Sequence, residues 1–377
     1  MASTLTELIA QLVSIDSVNP SLVKGGAGEA EAAAFVADWG REAGLEVDIV
    51  GDDAARPSVV LRARGTGGGR SLLLCGHLDT VGVEGMTDPH VPRVDGDWLY
   101  GRGSYDMKAG VAAALIAARD AKSLGLGGDV IVAAVADEED ASTGIQDALR
   151  SIDADGAVVT EPTELEVVVA HKGFVWSELE VTGRAAHGSR PWLGVDAIVK
   201  SGRLLVEIGE LDDGLAARTH PLLGRASVHA SLIEGGRELS SYPDRCLVTI
   251  ERRTLPGEEA EFVERELDDV LDRCRLADAD FAAERRTLLV RDPLEVDAGN
   301  EIVEAVRSAA EAVTGAKPAT GGASYWADSG LIAAAGIPTV LFGPGGEGAH
   351  ALEERVSLRD SEVVARTLVE VAARFCR

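Results

Sequence analysis

The 377-residue chain has few cysteines and no long uninterrupted run of apolar residues. Its cysteines (Cys75, Cys246, Cys274 and Cys376) lie far apart without a CxxC pair, which excludes a disulfide framework and a thiolate metal site. Free thiols fit a reducing compartment, and the missing apolar run excludes a membrane-spanning helix. The first eight residues lack a basic region followed by an apolar core. We therefore expect no secretory signal and a cytoplasmic protein.

Basic residues are also scarce. Lys and Arg number 36 against 63 Asp and Glu, and the net charge is −27. Such an acidic surface argues against nucleic acid or an anionic membrane as a partner and favours solubility. The apolar fraction of 46% is ordinary for a globular protein. A chain of this length predicts two domains.

Three predicted strands end at a histidine or an acidic residue. They are residues 71–75 before His77, residues 129–136 before Glu138 and Glu139, and residues 156–160 before Glu161. In open α/β sheets, the carboxyl ends of the strands form the edge where sites are built. Helices are predicted over residues 4–15, with Ser3 or Thr4 as the cap, and over residues 29–43 and 108–123.

The pattern changes between Gly173 and about Leu289. Alternating strands and two long helical segments there predict a compact α+β insert. A helix and a strand follow the insert, and they lead to a glycine-rich loop and His350. The predicted organisation is a split domain over residues 1–172 and 290–377, interrupted by a domain over residues 173–289.

The candidate site combines two histidines with several carboxylates. These residues are His77, Asp106, Glu138, Glu139, Glu161 and His350. Imidazole and carboxylate ligands together suit zinc, cobalt or manganese. Two such ions roughly 3.5–4 Å apart can polarise a carbonyl and activate a water. The set predicts a metal-dependent hydrolase.

Each of these residues alone has a plainer interpretation. Asp106 could cap the helix over residues 108–123, Glu161 could end a strand at a turn, and adjacent acids are usually solvated. Their conjunction favours the metal site. Glu138 and Glu139 end an apolar strand, where two buried like charges are costly without cations, so one could bind metal and the other accept a proton.

Other polar residues have weaker signals. Asp79 lies two residues after His77, on the same side of an extended chain, and could accept the far ring N–H of the histidine. His171 is expected to be a domain-boundary residue without chemistry. His187 is either a loop histidine or a site residue. Arg253 is either a surface strand arginine or a partner for a substrate carboxylate.

Together the motifs resemble the co-catalytic di-zinc amidohydrolases that include acetylornithine deacetylase, succinyl-diaminopimelate desuccinylase, aminoacylase and the glutamate carboxypeptidases. The resemblance covers essentially the whole chain. The contexts that carry it are Gly76-His77-Leu78-Asp79-Thr80, Gly101-Arg102-Gly103-Ser104-Tyr105-Asp106-Met107-Lys108, Asp137-Glu138-Glu139-Asp140, Thr160-Glu161-Pro162-Thr163 and Gly348-Ala349-His350.

The resemblance implies an α/β fold. A split catalytic domain, with a mixed sheet sandwiched by helices, would carry an inserted α+β lid and dimerisation domain. His77, Asp106 and Glu161 would hold one divalent ion. Asp106, Glu139 and His350 would hold the other, with zinc as the expected metal. Glu138 would be the general base, Asp79 would orient His77, and a cis peptide would join Asp106 to Met107.

The resemblance also implies roles for residues of the insert and the late loop. The lid would form a homodimer, and His187 would reach the partner's site to stabilise an oxyanion. Arg253 would bind the substrate carboxylate, although the usual Asp-x-Arg-x-x-Pro pattern begins here with Glu251. The segment over residues 324–329, which includes Asp328, would line the substrate pocket. Glu354 would have a supporting role.

The predicted function is hydrolysis of an amide bond in an N-acyl amino acid, as in deacetylases and desuccinylases. The alternative is a metallo-carboxypeptidase or dipeptidase that acts on short peptides, because a fold does not determine the substrate. A third hypothesis is a metal-dependent binding or scaffold protein that retains the fold without turnover. A missing ligand or base would favour that hypothesis, and none is missing.

Overall fold

The computed structural model describes residues 4–377, which divide into two compact units. Ser3, one of the two predicted caps, lies outside the described residues. The first unit contains residues 4–169, 296–321 and 327–377, and the second contains residues 170–295 and 322–326. The second unit is longer than the insert predicted over residues 173–289. It also includes residues 322–326.

The strands are numbered along the chain: β1 Glu46–Val50, β2 Ser58–Ala63, β3 Leu72–His77, β4 Arg93–Asp95, β5 Trp98–Tyr100, β6 Val130–Val135, β7 Gly156–Val159, β8 Val167–His171, β9 Gly173–Thr182, β10 Thr219–His220, β11 Gly224–Arg225, β12 Ser227–Gly235, β13 Arg245–Thr254, β14 Ala282–Arg291, β15 Leu294–Glu295, β16 Thr320–Ala323, β17 Thr339–Leu341, β18 Gly346–Glu347 and β19 Arg355–Ser357. The helices are α1 Leu5–Ser14, α2 Ala30–Glu42, α3 Ala109–Ala121, α4 Thr143–Leu149, α5 Ala197–Leu215, α6 Ala260–Ala277, α7 Glu301–Thr314, α8 Ser329–Ala334 and α9 Leu358–Phe375.

The first unit is built on a mixed β-sheet, as the fold prediction required. Its strands run in the order β1-β2-β6-β3-β7-β17-β8. Strand β3 pairs in parallel with β6 and β7, and β17 pairs in parallel with β7, whereas β1, β2 and β6 pair antiparallel in turn. The parallel strands are buried along their whole length, which explains their continuous apolar sequences.

Helices cover this sheet through apolar faces. The Ala-rich helix α3 is buried on almost every side and packs against α9. Helix α1 begins with a capping box, in which the Thr4 hydroxyl accepts from the Glu7 amide and the Glu7 carboxylate accepts from the Thr4 amide. The predicted helix over residues 108–123 is α3. Its first turn does not use Asp106 as a cap.

A small antiparallel sheet of β18, β19, β5 and β4 was missed by the sequence patterns. Its strands have two or three residues each, too few to show an alternation. Arg355 on β19 lies over the ring of Trp98 and donates to the hydroxyl of Tyr100 on β5. This contact joins the segment after His350 to the segment before Asp106.

The second unit contains an antiparallel sheet in the order β12-β13-β9-β14, with helices α5 and α6. Along β9, buried and partly exposed residues alternate, as predicted for residues 175–181, and β13 shows the same pattern. The alternation predicted over residues 226–232 is wrong, because β12 is exposed from His229 onward. A separate apolar core supports this unit. Among residues 4–377, no helix is both long enough and apolar enough to cross a bilayer.

Candidate metal centre

Three parallel strands deliver the predicted ligands to one edge of the sheet. His77 is the last residue of β3, Glu138 and Glu139 follow β6, and Glu161 follows β7. Their strands are neighbours in parallel register, so their carboxyl ends meet. His350 lies in the loop between β18 and β19, shortly after β17, which pairs in parallel with β7.

Asp106 lies between the two histidines. Its Oδ1 is 3.3 Å from Nε2 of His77, and its Oδ2 is 3.3 Å from Nε2 of His350. Nε2 of His350 is also 3.2 Å from Oε2 of Glu139, and Nε2 of His77 is 3.9 Å from Oε1 of Glu161. The carboxylate of Asp106 therefore faces two groups of ligand atoms, one with each of its oxygens.

The donor set fits divalent metal ions. Ligand atoms of His77, Glu138 and Glu161 lie within 4.8 Å of one another, and so do those of His77, Asp106 and Glu139. Within residues 4–377, Oε1 of Glu139 is buried without a hydrogen-bond partner, although buried carboxylate oxygens are normally paired. Imidazole nitrogens and carboxylate oxygens at this spacing suit zinc, cobalt or manganese.

The carboxyl groups of the site repel one another. Burial raises the pKa of Glu138 well above its usual range, and the charge of Glu161 raises it further. Burial also raises the pKa of Glu161, with Asp106 and Glu139 adding to the effect against the opposing charge of His77. Such a cluster needs positive charge to remain ionised, and bound cations would supply it.

The neighbouring carboxylates in turn affect the pKa values of the two histidines. Hydrogen bonds to Asp106 and Glu139 raise the pKa of His350 to about 10. Burial alone would lower the pKa of His77, but its hydrogen bond to Asp106 and the charge of Glu161 raise it well above the usual value. Although burial acts to raise the pKa of Asp106, hydrogen bonds from both histidines hold it below its usual range.

Asp79 contacts His77 differently from the prediction. The Nδ1–H of His77 donates to the main-chain carbonyl of Asp79 at 2.9 Å, while the carboxylate of Asp79 lies 3.6 Å from that nitrogen. A carbonyl oxygen can only accept, so this contact leaves Nε2 to face Asp106. The carboxylate instead accepts the main-chain N–H groups of Glu138 at 3.1 Å and Glu139 at 3.2 Å.

A buried polar network behind the Glu138–Glu139 turn was not predicted. Asn19 Nδ2 donates to Asp79 at 2.8 Å and to Asp137 at 3.2 Å. Arg56 pairs with Asp137 at 2.7 Å and with both oxygens of Glu29 at 2.6 and 3.0 Å. Asp137 has a left-handed backbone, φ 67°, which is unusual for a residue other than glycine. The network holds the turn in this conformation.

The sequence has a weak signal for part of this network. Asn19 and Arg56 each precede a proline. A proline there indicates a turn, but it does not indicate which residues the Asn19 and Arg56 side chains contact. Glu29 lies at the start of the predicted second helix, where an acidic residue is ordinary. No local pattern indicates that these residues meet, because their contacts join segments far apart in the chain.

Glu354 holds the loop that carries Asp106. Its buried carboxylate accepts from the main-chain N–H groups of Gly103, Tyr105 and Asp106 at 2.9–3.0 Å. It also pairs with Arg102 at 2.7 Å, with both side chains almost fully buried. The peptide between Asp106 and Met107 is cis, as the family resemblance implied. Glu354 therefore connects the segment after His350 to Asp106.

Asp328 lies in the first unit, at the start of α8, and its side chain is buried. Burial is the main cause of the raised pKa values of Glu138 and Glu161, and the charge of Asp328 contributes to both. The structure therefore places Asp328 near the candidate metal centre. Its predicted contact with substrate remains a prediction.

The remaining predicted residues belong to the second unit. His187 is exposed, and its Nδ1 lies 2.8 Å from the hydroxyl of Ser189. Arg253 on β13 pairs with Glu251 at 2.7 Å. His171 is buried, its pKa is lowered to about 4 by burial, and its Nδ1 lies 2.9 Å from the carbonyl of Lys172. His171 therefore packs inside the unit, which is compatible with the expected role without chemistry.

Replacing Glu354 with Gln should weaken metal binding. The amide would put an N–H₂ group where the carboxylate now accepts main-chain hydrogen bonds, so the Asp106 loop would shift. We expect at least about tenfold weaker binding of Zn²⁺, and a free energy of unfolding about 3 kcal/mol lower. Calorimetric titration of the chelated protein and chemical denaturation measure these changes. Glu353→Gln at the exposed neighbouring position is the control, and equal zinc affinity in the two variants would contradict the role of Glu354.

Comparisons with known proteins agree with this geometry. Residues 73–374 match the model of Peptidase family M20/M25/M40. The chain is 32% identical over 392 residues to an acetylornithine deacetylase of Myxococcus xanthus, covering 100% of this chain and 97% of that protein. It is 27% identical to an N-formyl-4-amino-5-aminomethyl-2-methylpyrimidine deformylase of Bacillus subtilis, with 91% and 88% covered.

The fold is also similar to that of a solved M20 family metallo-carboxypeptidase from Sulfolobus solfataricus. The TM-score is 0.80 at 18% identity, and 99% of each chain is covered. These findings confirm the family resemblance that the motifs indicated. The chain is therefore a hydrolase that belongs to peptidase family M20/M25/M40.

Proposed function

We propose that this protein hydrolyses the amide bond of an N-acyl amino acid with the help of two divalent metal ions. The observation that carries the proposal is the position of Asp106, whose two oxygens face a histidine each, beside Glu138, Glu139 and Glu161. The acetylornithine deacetylase similar over the whole chain supports an acylated amino acid as the substrate.

In this proposal, His77, Asp106 and Glu161 hold one ion, and Asp106, Glu139 and His350 hold the other. Zinc is the expected metal, with cobalt or manganese as alternatives. When bound, the metal ions polarise the scissile carbonyl and make a water nucleophilic at neutral pH. Glu354 accepts the main-chain N–H of Asp106 and so helps to keep Asp106 between the two histidines.

Glu138 is the proposed general base. It is half-buried in the turn that follows β6, and its main-chain N–H donates to the carboxylate of Asp79. A buried carboxylate with a raised pKa accepts a proton more readily than one in water, which suits a group that must take a proton from water. Glu138 would then pass the proton to the leaving amine.

Residues outside the metal centre complete the proposal. Arg253 would bind the free carboxylate of the substrate through its planar fork, and Asp328 would line the substrate pocket. His187 of a partner subunit would stabilise the oxyanion that develops on the scissile carbonyl. The same arrangement would serve the alternative substrates, short peptides, so a blocked or a free substrate amine distinguishes a deacylase from a dipeptidase.

The proposed partner for His187 is a second copy of this chain. Apolar side chains are exposed on α5 and on β12, a terminal strand of its sheet; Val199 and Leu232 are each 69% exposed, and Ile233 is 56% exposed. Such side chains together with an open strand edge are typical of a surface covered by another chain. A dimeric mass in solution supports this assembly, and a monomeric mass at micromolar concentration contradicts it.

Changing Glu138 to Ala should abolish turnover while leaving metal bound. Because Glu138 is proposed to accept the proton and not to hold the metal, we expect the rate to fall by about three orders of magnitude. Amine release from an N-acetyl amino acid gives the rate, and elemental analysis gives the metal content. Glu311→Ala, at an exposed position of α7, is the control. Near-normal turnover in the Glu138 variant would exclude the proposed role.

A further inference from the structure

One face of the second unit's sheet carries a cluster formed by Trp176, Phe174, Glu251 and Arg253. Strands β9 and β13 pair antiparallel, with Trp176 opposite Glu251 and Phe174 opposite Arg253. Residues two apart on a strand share a face, so all these side chains lie on the same side of the sheet. The intervening residues Val175 and Arg252 are buried on the other side.

Glu251 holds one edge of the Arg253 guanidinium. Arg253 Nε donates to Oε1 of Glu251 at 2.7 Å, and Nη2 donates to Oε2 at 3.3 Å. The indole N–H of Trp176 donates to the same Oε2 at 2.9 Å. The guanidinium carbon lies 5.2 Å from the ring centroid of Phe174. The guanidinium is thus held at one edge by a carboxylate, and that carboxylate is itself held by an indole.

The second edge of the guanidinium remains available. A guanidinium has five N–H groups, and a carboxylate can pair with it along either the Nε–Nη2 edge or the Nη1–Nη2 edge. Among the described residues, Nη1 of Arg253 has no hydrogen-bond partner. Both N–H groups of the outer edge are parallel, which matches the two oxygens of a carboxylate.

Positive charge remains near Arg253 despite the pairing with Glu251. The pKa of Lys172 is lowered first by burial and then by the charges of Arg253 and Arg225, so these cations lie close to one another. Lys172 Nζ donates to the main-chain carbonyl of Arg225 at 2.7 Å. A carboxylate that approaches Arg253 would therefore have a second cation, Lys172, nearby.

We propose that Glu251 is a positioning residue that orients Arg253, so that the substrate carboxylate binds only the Nη1–Nη2 edge. This inference rests on the proposed function, in which Arg253 binds that carboxylate. It also accounts for the glutamate in the Glu251-Arg252-Arg253-Thr254-Leu255-Pro256 segment, where the family pattern begins with aspartate. The side chain of Glu251 is long enough to reach the guanidinium and the indole of Trp176 together.

A competing arrangement predicts the opposite effect. If the substrate carboxylate had to displace Glu251 from Arg253, then removing the charge of Glu251 would strengthen substrate binding. If Glu251 orients Arg253, the same change would weaken binding, because the glutamine amide places an N–H₂ group against donors and frees the guanidinium to rotate. The sign of the change in KM therefore separates the two arrangements.

The test is steady-state kinetics of Glu251→Gln on an N-acetyl amino acid and on its carboxamide, which lacks the carboxylate. We expect KM for the carboxylate substrate to rise about tenfold, corresponding to one lost charge-assisted interaction, with kcat within about twofold. Kinetics on the carboxamide should be unchanged. Glu178→Gln is the matched control, because Glu178 lies on the same strand face and pairs with Arg286. An unchanged or lower KM, or a loss confined to kcat, overturns the proposal.

A binding measurement separates this inference from the proposed function. Calorimetry with the N-acetyl amino acid compares Glu138→Ala with the double variant Glu138→Ala, Glu251→Gln, so no turnover is needed. Binding about tenfold weaker in the double variant supports the role of Glu251, and equal or tighter binding overturns it. Failure of the wild-type enzyme to release amine from any N-acyl amino acid would count against the proposed function alone.

Discussion

Carboxylates from neighbouring strands crowd together at one edge of the sheet. The other polar contacts of the first unit depend on this crowding. Three parallel strands end there, and each delivers a proposed ligand or the proposed base. Burial raises the pKa values of Glu138 and Glu161, so the site is electrostatically unfavourable without positive charge. A pair of divalent ions would provide that charge, because His77 and His350 must be neutral to bind metal.

The support around the site follows from the same constraint. Glu354 and Arg102 form a buried ion pair beside Asp106, and Arg56 lies between Glu29 and Asp137 beside the Glu138–Glu139 turn. Each pair cancels charge that would otherwise add to the crowding. Each also connects two distant segments, so the ligand-bearing loops are held by contacts that depend on the complete fold. These ion pairs fix the loops that carry the proposed ligands, and none of the paired side chains is itself a proposed ligand.

Much of the site could be predicted because its ligands follow buried strands. The apolar runs before His77, Glu138 and Glu161 predicted both the strands and a shared edge, and the parallel pairing brings those ends together. Asp106 and His350 lie on loops without regular periodicity, so only the resemblance of their motifs to a known family indicated their place. The alternation of β9 was also evident from periodicity, whereas the mixed sheet was implied only by the family resemblance.

The sequence could not predict contacts that arise only from tertiary packing. Asn19, Arg56 and Glu29 converge on the Glu138–Glu139 turn from loops and a helix start with no common pattern. Asp79 contacts His77 through its main-chain carbonyl. Every residue type has such a carbonyl, so the sequence could not indicate this contact. The small sheet around Trp98 and Arg355 has strands too short for a periodic signal.

In the proposed function, metal ions at Asp106 enable hydrolysis of an acylated amino acid. The most direct measurement is amine release from N-acetyl and N-succinyl amino acids by chelated enzyme, before and after zinc, cobalt or manganese is added back. We predict no turnover after chelation and restored turnover with metal on at least one blocked amino acid. Metal binding without hydrolysis of any blocked amino acid, or turnover that survives complete metal removal, would contradict this account.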